Sequence, residues 1–182
     1  MKLFFKIFYI LIFSILLIYV IIPAPEFPLP PNDSLQSNEP ADLESPLRRS
    51  YFTNFTREEV MNHYKDQLSK STFLGIALPI YSFNYPPEEA QTIIRDQTNS
   101  TFLEEIVHPF RMSVFINGYE PKIEKGVVFF EDNRFWRQKI IVKYVESYIG
   151  VRILIVFLTA LFTWFILVEF KKFINELRFK LK

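Results

Sequence analysis

Glu104, Glu105 and His108 come closest, by type and spacing, to residues that could do chemistry. On a helix, Glu105-x-x-His108 would share one face, the spacing from which carboxylate-bridged metal sites in helix bundles are built. Such sites need the motif twice, plus acids from two further helices. Here it occurs once, and the other histidine, His63, sits beside Tyr64, which is patterned as core. A solvated charged face is the better reading, and no metal ligand is assigned. There is no G-x-S-x-G, H-E-x-x-H or S-x-x-K, and the glycines (75, 118, 126 and 150) are too scattered for a phosphate-cradling loop. Arg95-Asp96 and Arg111 could hold an anion, but such residues usually serve as ion-paired surface or packing groups. With no cysteine, thiolate metal sites, cysteine nucleophiles and disulfides are excluded. No catalytic residue and no cofactor are assigned.

The elements that would position any site are dominated by two apolar runs. Ile7 to Ile22 carries no charge, and with Leu3, Phe4 and Phe5 it reaches a length able to cross a bilayer. A cleaved signal peptide would need small residues at its exit, whereas this one reads Val20-Ile21-Ile22-Pro23-Ala24-Pro25, so residues 1–22 are read as an uncleaved anchor. The second run, Ile153 to Val168, is extended to Tyr148 and broken only by Arg152, whose long side chain can reach the headgroups. Residues 148–168 are read as a second transmembrane helix.

Charge then sets an orientation. Lys2 and Lys6 flank the first run. From Glu169 onward, five basic residues (Lys171, Lys172, Arg178, Lys180, Lys182) face two acids (Glu169, Glu176), a net of +3. The stretch between the runs is net acidic, although the whole chain is close to neutral at +1. Basic flanks stay in the cytoplasm, so both termini are expected inside and residues 23–149 outside. The absence of cysteine from an exported region points to a bacterial inner membrane. The near-neutral total argues against a nucleic-acid partner.

Between the anchors, residues 23–46 hold seven of the twelve prolines among polar residues, a composition read as an extended linker reaching on the order of 70 Å. Residues 47–147 read as a small α+β domain: two or three short helices, then a three- to four-stranded antiparallel sheet. Thr56-Arg57-Glu58-Glu59 is a capping box, and Val60, Tyr64 and Leu68 continue it as a helix from about Arg57 to Lys70. Phe73 to Tyr85 is expected as a strand, Pro86 to Gln97 as a helix, and Thr101 to His108 as a third helix or turn ended by Pro109. Asn117-Gly118 is the strongest short hairpin signal and predicts a turn. Glu131-Asp132-Asn133 predicts another, followed by a strand from Phe135 to Val145 with Trp136, Ile140, Val142 and Tyr144 on one side.

In the second membrane run, Arg152, Val156, Thr159 and Thr163 recur at helical spacing and form a stripe suited to contact with another membrane helix, from a second copy or another protein. The first run offers only Ser14 among bulky residues and reads as a lipid-facing anchor. Residues 169–182 form a basic amphipathic tail suited to the anionic inner leaflet. The expected function is therefore non-enzymatic: a two-pass membrane protein whose partners are the lipid bilayer and other membrane or envelope proteins. A binding module for a lipid, glycan or peptide is the alternative. A small envelope hydrolase comes third, because no spacing selects a pair of its many carboxylates.

Overall fold

Alternating apolar residues build a larger sheet than the sequence suggests. The computed structural model describes residues 3–43, 45–86, 100–121 and 128–180. Two compact units result: Ala24–Glu146, and Met1–Pro23 together with Ser147–Lys182. The first unit contains strands β1 (Ser34–Gln36), β2 (Arg48–Thr53), β3 (Thr72–Phe73), β4 (Ile76–Ala77), β5 (Tyr81–Tyr85), β6 (Phe102–His108), β7 (Met112–Tyr119), β8 (Phe129–Glu131), β9 (Arg134–Trp136) and β10 (Gln138–Val145). Six of them form one antiparallel sheet in the order β1-β2-β10-β7-β6-β5, and β3-β4 and β8-β9 are separate two-stranded ribbons. Helices are α1 (Leu3–Ile21) and α3 (Ile149–Lys180) in the second unit and α2 (Arg57–Ser69) in the first. The architecture is α+β, with an apolar helix at each end of the chain.

Helix α2 forms where its capping chemistry predicts. The Glu59 amide donates to Thr56 Oγ1 at 3.2 Å, and the Glu59 carboxylate accepts from the Thr56 amide at 2.7 Å. The bond from the Thr56 backbone also holds the Glu59 carboxyl below its ordinary pKa. Val60, Met61, Tyr64 and Leu68 are buried from this helix against Tyr51, Ile106, Val114, Ile116, Ile140 and Val142 of the sheet. Period 3.6 on the helix and period 2 on the strands thus meet on one sheet face.

Three local expectations give way to tertiary packing. Residues 102–108 are a central strand, not a helix, because Leu103 and Ile106 are wholly buried and the chain pairs on both sides, with β5 and β7. Asn117-Gly118 is not a turn but lies within β7. The Phe102 ring lies across Gly118, where a Cβ would come within 2.0 Å of Phe102 Cε1, so glycine is required for close approach rather than for a bend. The real turn follows Pro109: Phe110 takes φ 60° and the Arg111 amide donates to the His108 carbonyl at 3.0 Å. The run from Phe73 to Tyr85 divides into β3, β4 and β5, with Leu74 and Gly75 at φ 51° and 80° making the tight turn between the first two.

Other expectations agree more closely. Asp132 and Asn133, both at positive φ, join β8 to β9 as the two-residue hairpin turn that their residue types favour. The strand expected from Phe135 to Val145 is interrupted at Arg137, so Trp136 belongs to the β8-β9 ribbon while Ile140, Val142 and Tyr144 face the core. The helix expected from Pro86 to Gln97 lies almost wholly outside the described residues.

The proline-rich stretch is not a free tether. Phe27 packs against the core, the Tyr144 hydroxyl donates to the Pro25 carbonyl at 2.9 Å, and Arg49 lies 4.3 Å over the Phe27 ring. The Leu29 amide donates to Gln67 Oε1 at 2.8 Å, and Gln67 Nε2 returns a bond to the Leu29 carbonyl at 3.0 Å. Residues 34–36 then add the edge strand β1. Extended polyproline backbone cannot satisfy its own polar groups, and α2, β2 and β10 supply the partners.

Candidate functional site

Two places concentrate polar groups in apolar surroundings. The first is the sheet face opposite α2. Lys139 on β10 is directed there by alternation, opposite Phe52 on β2 and Tyr119 on β7. Its Nζ reaches Asp42 at 2.7 Å and Glu39 at 2.8 Å, and Asp42 also accepts from the Ser50 hydroxyl at 2.8 Å. Burial pushes the Asp42 carboxyl up, but bonds from Lys139, Ser37 and Ser50 outweigh it and hold the group below its ordinary pKa. Burial likewise pulls Lys139 down, while its two carboxylates more than compensate and hold it above the usual lysine value. Both groups are charged at neutral pH, and the pair braces residues 39–42 against the sheet.

Beside Lys139 is a cavity of about 270 Å³ lined by Glu39, Asn117, Tyr119, Phe129, Lys139 and Ile141. Asn117 is 2% exposed, and neither its amide nitrogen nor its amide oxygen has a hydrogen-bond partner among the described residues. An unsatisfied buried amide costs roughly 1–3 kcal/mol, and a group offering an acceptor and a donor together would satisfy this one. The sequence could not reveal it, since Asn117 looks like half of a hairpin turn.

The second place is the helix pair. Tyr9 of α1 donates its hydroxyl to the Ala160 carbonyl of α3, lies 2.7 Å from Thr163 Oγ1 and sets its ring edge-on to Trp164 at 5.3 Å. At the other end, Arg152 donates to the Ile22 carbonyl at 3.3 Å. These contacts make α1 and α3 antiparallel. Of the stripe Arg152, Val156, Thr159 and Thr163, the first two are buried, Thr163 meets Tyr9, and Thr159 is exposed, its hydroxyl donating to the Ile155 carbonyl at 2.7 Å. The stripe is therefore occupied in part by the chain's own first helix. Tyr9 is the residue sequence reasoning missed; its only signal was a hydroxyl inside an apolar run.

The residues singled out for metal chemistry are dispersed by the strand. On β6, Glu105 and His108 are three apart and so point to opposite faces. Glu104 is bound by Arg57 and by the Ser82 hydroxyl, and Glu105 accepts from the Tyr85 hydroxyl. His108 lies in the core, its Nε2 2.9 Å from the Leu68 carbonyl, where burial holds it below its ordinary pKa and Arg111 adds to the effect. Arg111 itself is 1% exposed. Arg95 and Asp96 lie outside the described residues.

No family model matches the chain, and no curated protein and no solved structure matches it.

Proposed function

We propose that the chain is a non-enzymatic two-pass membrane protein that presents its α+β domain outside the cytoplasm for assembly with other membrane or envelope proteins. The observation that carries this reading is the antiparallel pair of apolar helices. Helix α1 has 19 residues and α3 has 32, and each is long and apolar enough to cross a membrane. Only 6% and 11% of their most apolar windows are buried, far more uncovered apolar surface than a water-soluble chain carries. The antiparallel packing brings Lys6 to the same end as Lys171, Lys172, Arg178 and Lys180, and a single basic end marks the cytoplasmic side. Both termini are then cytoplasmic and the domain is outside the inner membrane.

The partner surface in this reading is β5, one of the two edges of the six-stranded sheet, where Tyr81 and Phe83 are 55% and 50% exposed. Exposed aromatics on an edge strand suit a protein partner. Cysteines placed at Ser45 and Ser147 should react with an impermeant reagent in intact cells, and one at Lys180 should not; labelling at Lys180 overturns the orientation. A photocrosslinking side chain at Tyr81 or Phe83 should capture a membrane protein, whereas one at exposed Asn62 on α2 should not. Equal capture at all three sites counts against β5.

A second reading, a binding module, is favoured by the Asn117 cavity. An amide or hydroxyl-bearing ligand, from a peptide or a glycan, would answer the two Asn117 atoms that lack a partner among the described residues, while Phe129 and Ile141 cover its apolar side.

A further inference from the structure

We propose that the cleft between the amino-terminal half of α1 and the carboxy-terminal half of α3 is a binding site for one anionic phospholipid, an inference that rests on the membrane-spanning reading above. The cleft has a volume of about 690 Å³ and apolar walls, with Phe5, Phe8 and Ile12 from α1 facing Leu167, Phe170 and Ile174 from α3. That volume falls in the ordinary range for sites that enclose a small molecule.

The charges at its mouth choose the occupant. Lys171, Asn175 and Arg178 also line the cleft. Lys171 and Arg178 are seven residues apart on α3 and so lie on one stripe, roughly 10 Å apart along the axis. Neither has a carboxylate partner among the described residues, whereas the adjacent Lys172 is paired with Glu169 at 2.6 Å and lies off the cleft. Two like charges beside an apolar wall raise each other's energy, and an anion between them relieves both. The lipid phosphate supplies that anion, Asn175 donates to its ester or glycerol oxygens, and an acyl chain fills the apolar cleft. At this end of the helices the leaflet is cytoplasmic, and such leaflets carry the anionic lipids.

Full-length protein released from nanodiscs of mixed phosphatidylcholine and phosphatidylglycerol, with retained lipid counted by native mass spectrometry, tests the site. Wild type should retain phosphatidylglycerol over phosphatidylcholine by on the order of tenfold. Lys171→Gln with Arg178→Gln should reduce that preference to within about twofold. Lys172→Gln with Lys180→Gln removes the same charge outside the cleft and should preserve it. Equal loss in both pairs would reduce the effect to general attraction by a basic tail and overturn the site, as would no preference in wild type. Added glycerol 3-phosphate should fail to displace the lipid; displacement would overturn the role of the acyl chain. Alkaline carbonate extraction separates the two levels of failure. Protein released by carbonate refutes the membrane-spanning reading itself, while protein that stays embedded without lipid preference refutes this site alone.

Discussion

The domain and the helix pair hold themselves together by opposite means. In Ala24–Glu146, stability comes from apolar side chains removed from water: Val60, Tyr64, Ile106, Val114, Ile116, Ile140 and Val142 are all 0% exposed. In the helix pair, most apolar side chains face outward, and the contacts between helices include a tyrosine hydroxyl on a threonine, its ring against Trp164, and an arginine on a backbone carbonyl. On the proposed membrane-spanning reading, the difference follows from the solvent. Water drives burial of Leu and Ile, whereas lipid is indifferent to them and leaves packing and hydrogen bonds to bring helices together. The same residue should therefore carry different weight in each region.

The largest contrast pairs one substitution in two places. Leu68→Ala empties a fully packed position and should cost the domain about 2–5 kcal/mol. Leu158→Ala, at a position 53% exposed on α3, should change stability in detergent by no more than about 0.5 kcal/mol. Denaturant titration of the full-length protein reads both; similar costs would erase the distinction.

Next comes the charged brace. Lys139 alternates with core residues and reads in the sequence as a plain surface lysine, yet it holds Asp42, whose side chain is 4% exposed. Lys139→Ala leaves that carboxylate buried without its cation and should cost about 1–3 kcal/mol. Lys139→Met with Asp42→Asn should recover most of the loss, because neither charge is then left buried alone. The pH dependence has a definite sign. Asp42 titrates lower in the folded state, so its contribution is complete above about pH 3.9 and is lost as pH falls through the lowered value. Lys139 titrates higher in the folded state, so its contribution is complete below about pH 10.4 and is lost as pH rises through the raised value. The double variant should flatten both flanks of the stability profile.

The brace also shows which parts of the fold the residues announce. Signals confined to a few neighbours survive: the Thr56–Glu59 capping box, the Asp132-Asn133 turn and the two apolar helices are local physics. Signals that depend on distant partners mislead. Residues 102–108 carry two adjacent glutamates that suit a helix, and only Arg57, Ser82 and Tyr85 reveal how a strand accommodates them. The prolines of residues 23–46 suggest a tether until Gln67 and Tyr144 supply the bonds that fix them. In the candidate site, the Arg152 stripe can be read from spacing, but Asn117 cannot, because its environment comes from four separate elements.

Gly118 offers an intermediate effect. Gly118→Ala forces the Phe102 ring away from the strand and should destabilise the domain by about 1–3 kcal/mol. A true hairpin turn at Asn117-Gly118 would make the cost depend on φ instead. The second substitution that separates the causes is Phe102→Leu, which opens space over residue 118. If sterics govern, Gly118→Ala should cost markedly less in the Phe102→Leu background, a coupling read directly from a double-mutant cycle.

The smallest effect lies where lipid is the proposed solvent. Tyr9→Phe keeps the ring against Trp164 and removes only the hydroxyl that meets Ala160 and Thr163. Hydrogen bonds between membrane helices average about 0.6 kcal/mol, because the separated helices find other partners. Tyr9→Phe should therefore weaken the helix pair by about that much in an SDS titration. Thr163→Val should match it, and the two together should cost less than their sum, since each removes the same contact. Thr159→Val should be nearly silent, because the exposed Thr159 hydroxyl donates to the Ile155 carbonyl of its own helix. The occupied stripe also limits association between copies: cysteines at Val156 and Thr163 should crosslink poorly between chains, and one at exposed Leu161 should do at least as well. Efficient crosslinking through 156 and 163 would mean that a second chain displaces α1, and the stripe would then be a contact between molecules rather than within one.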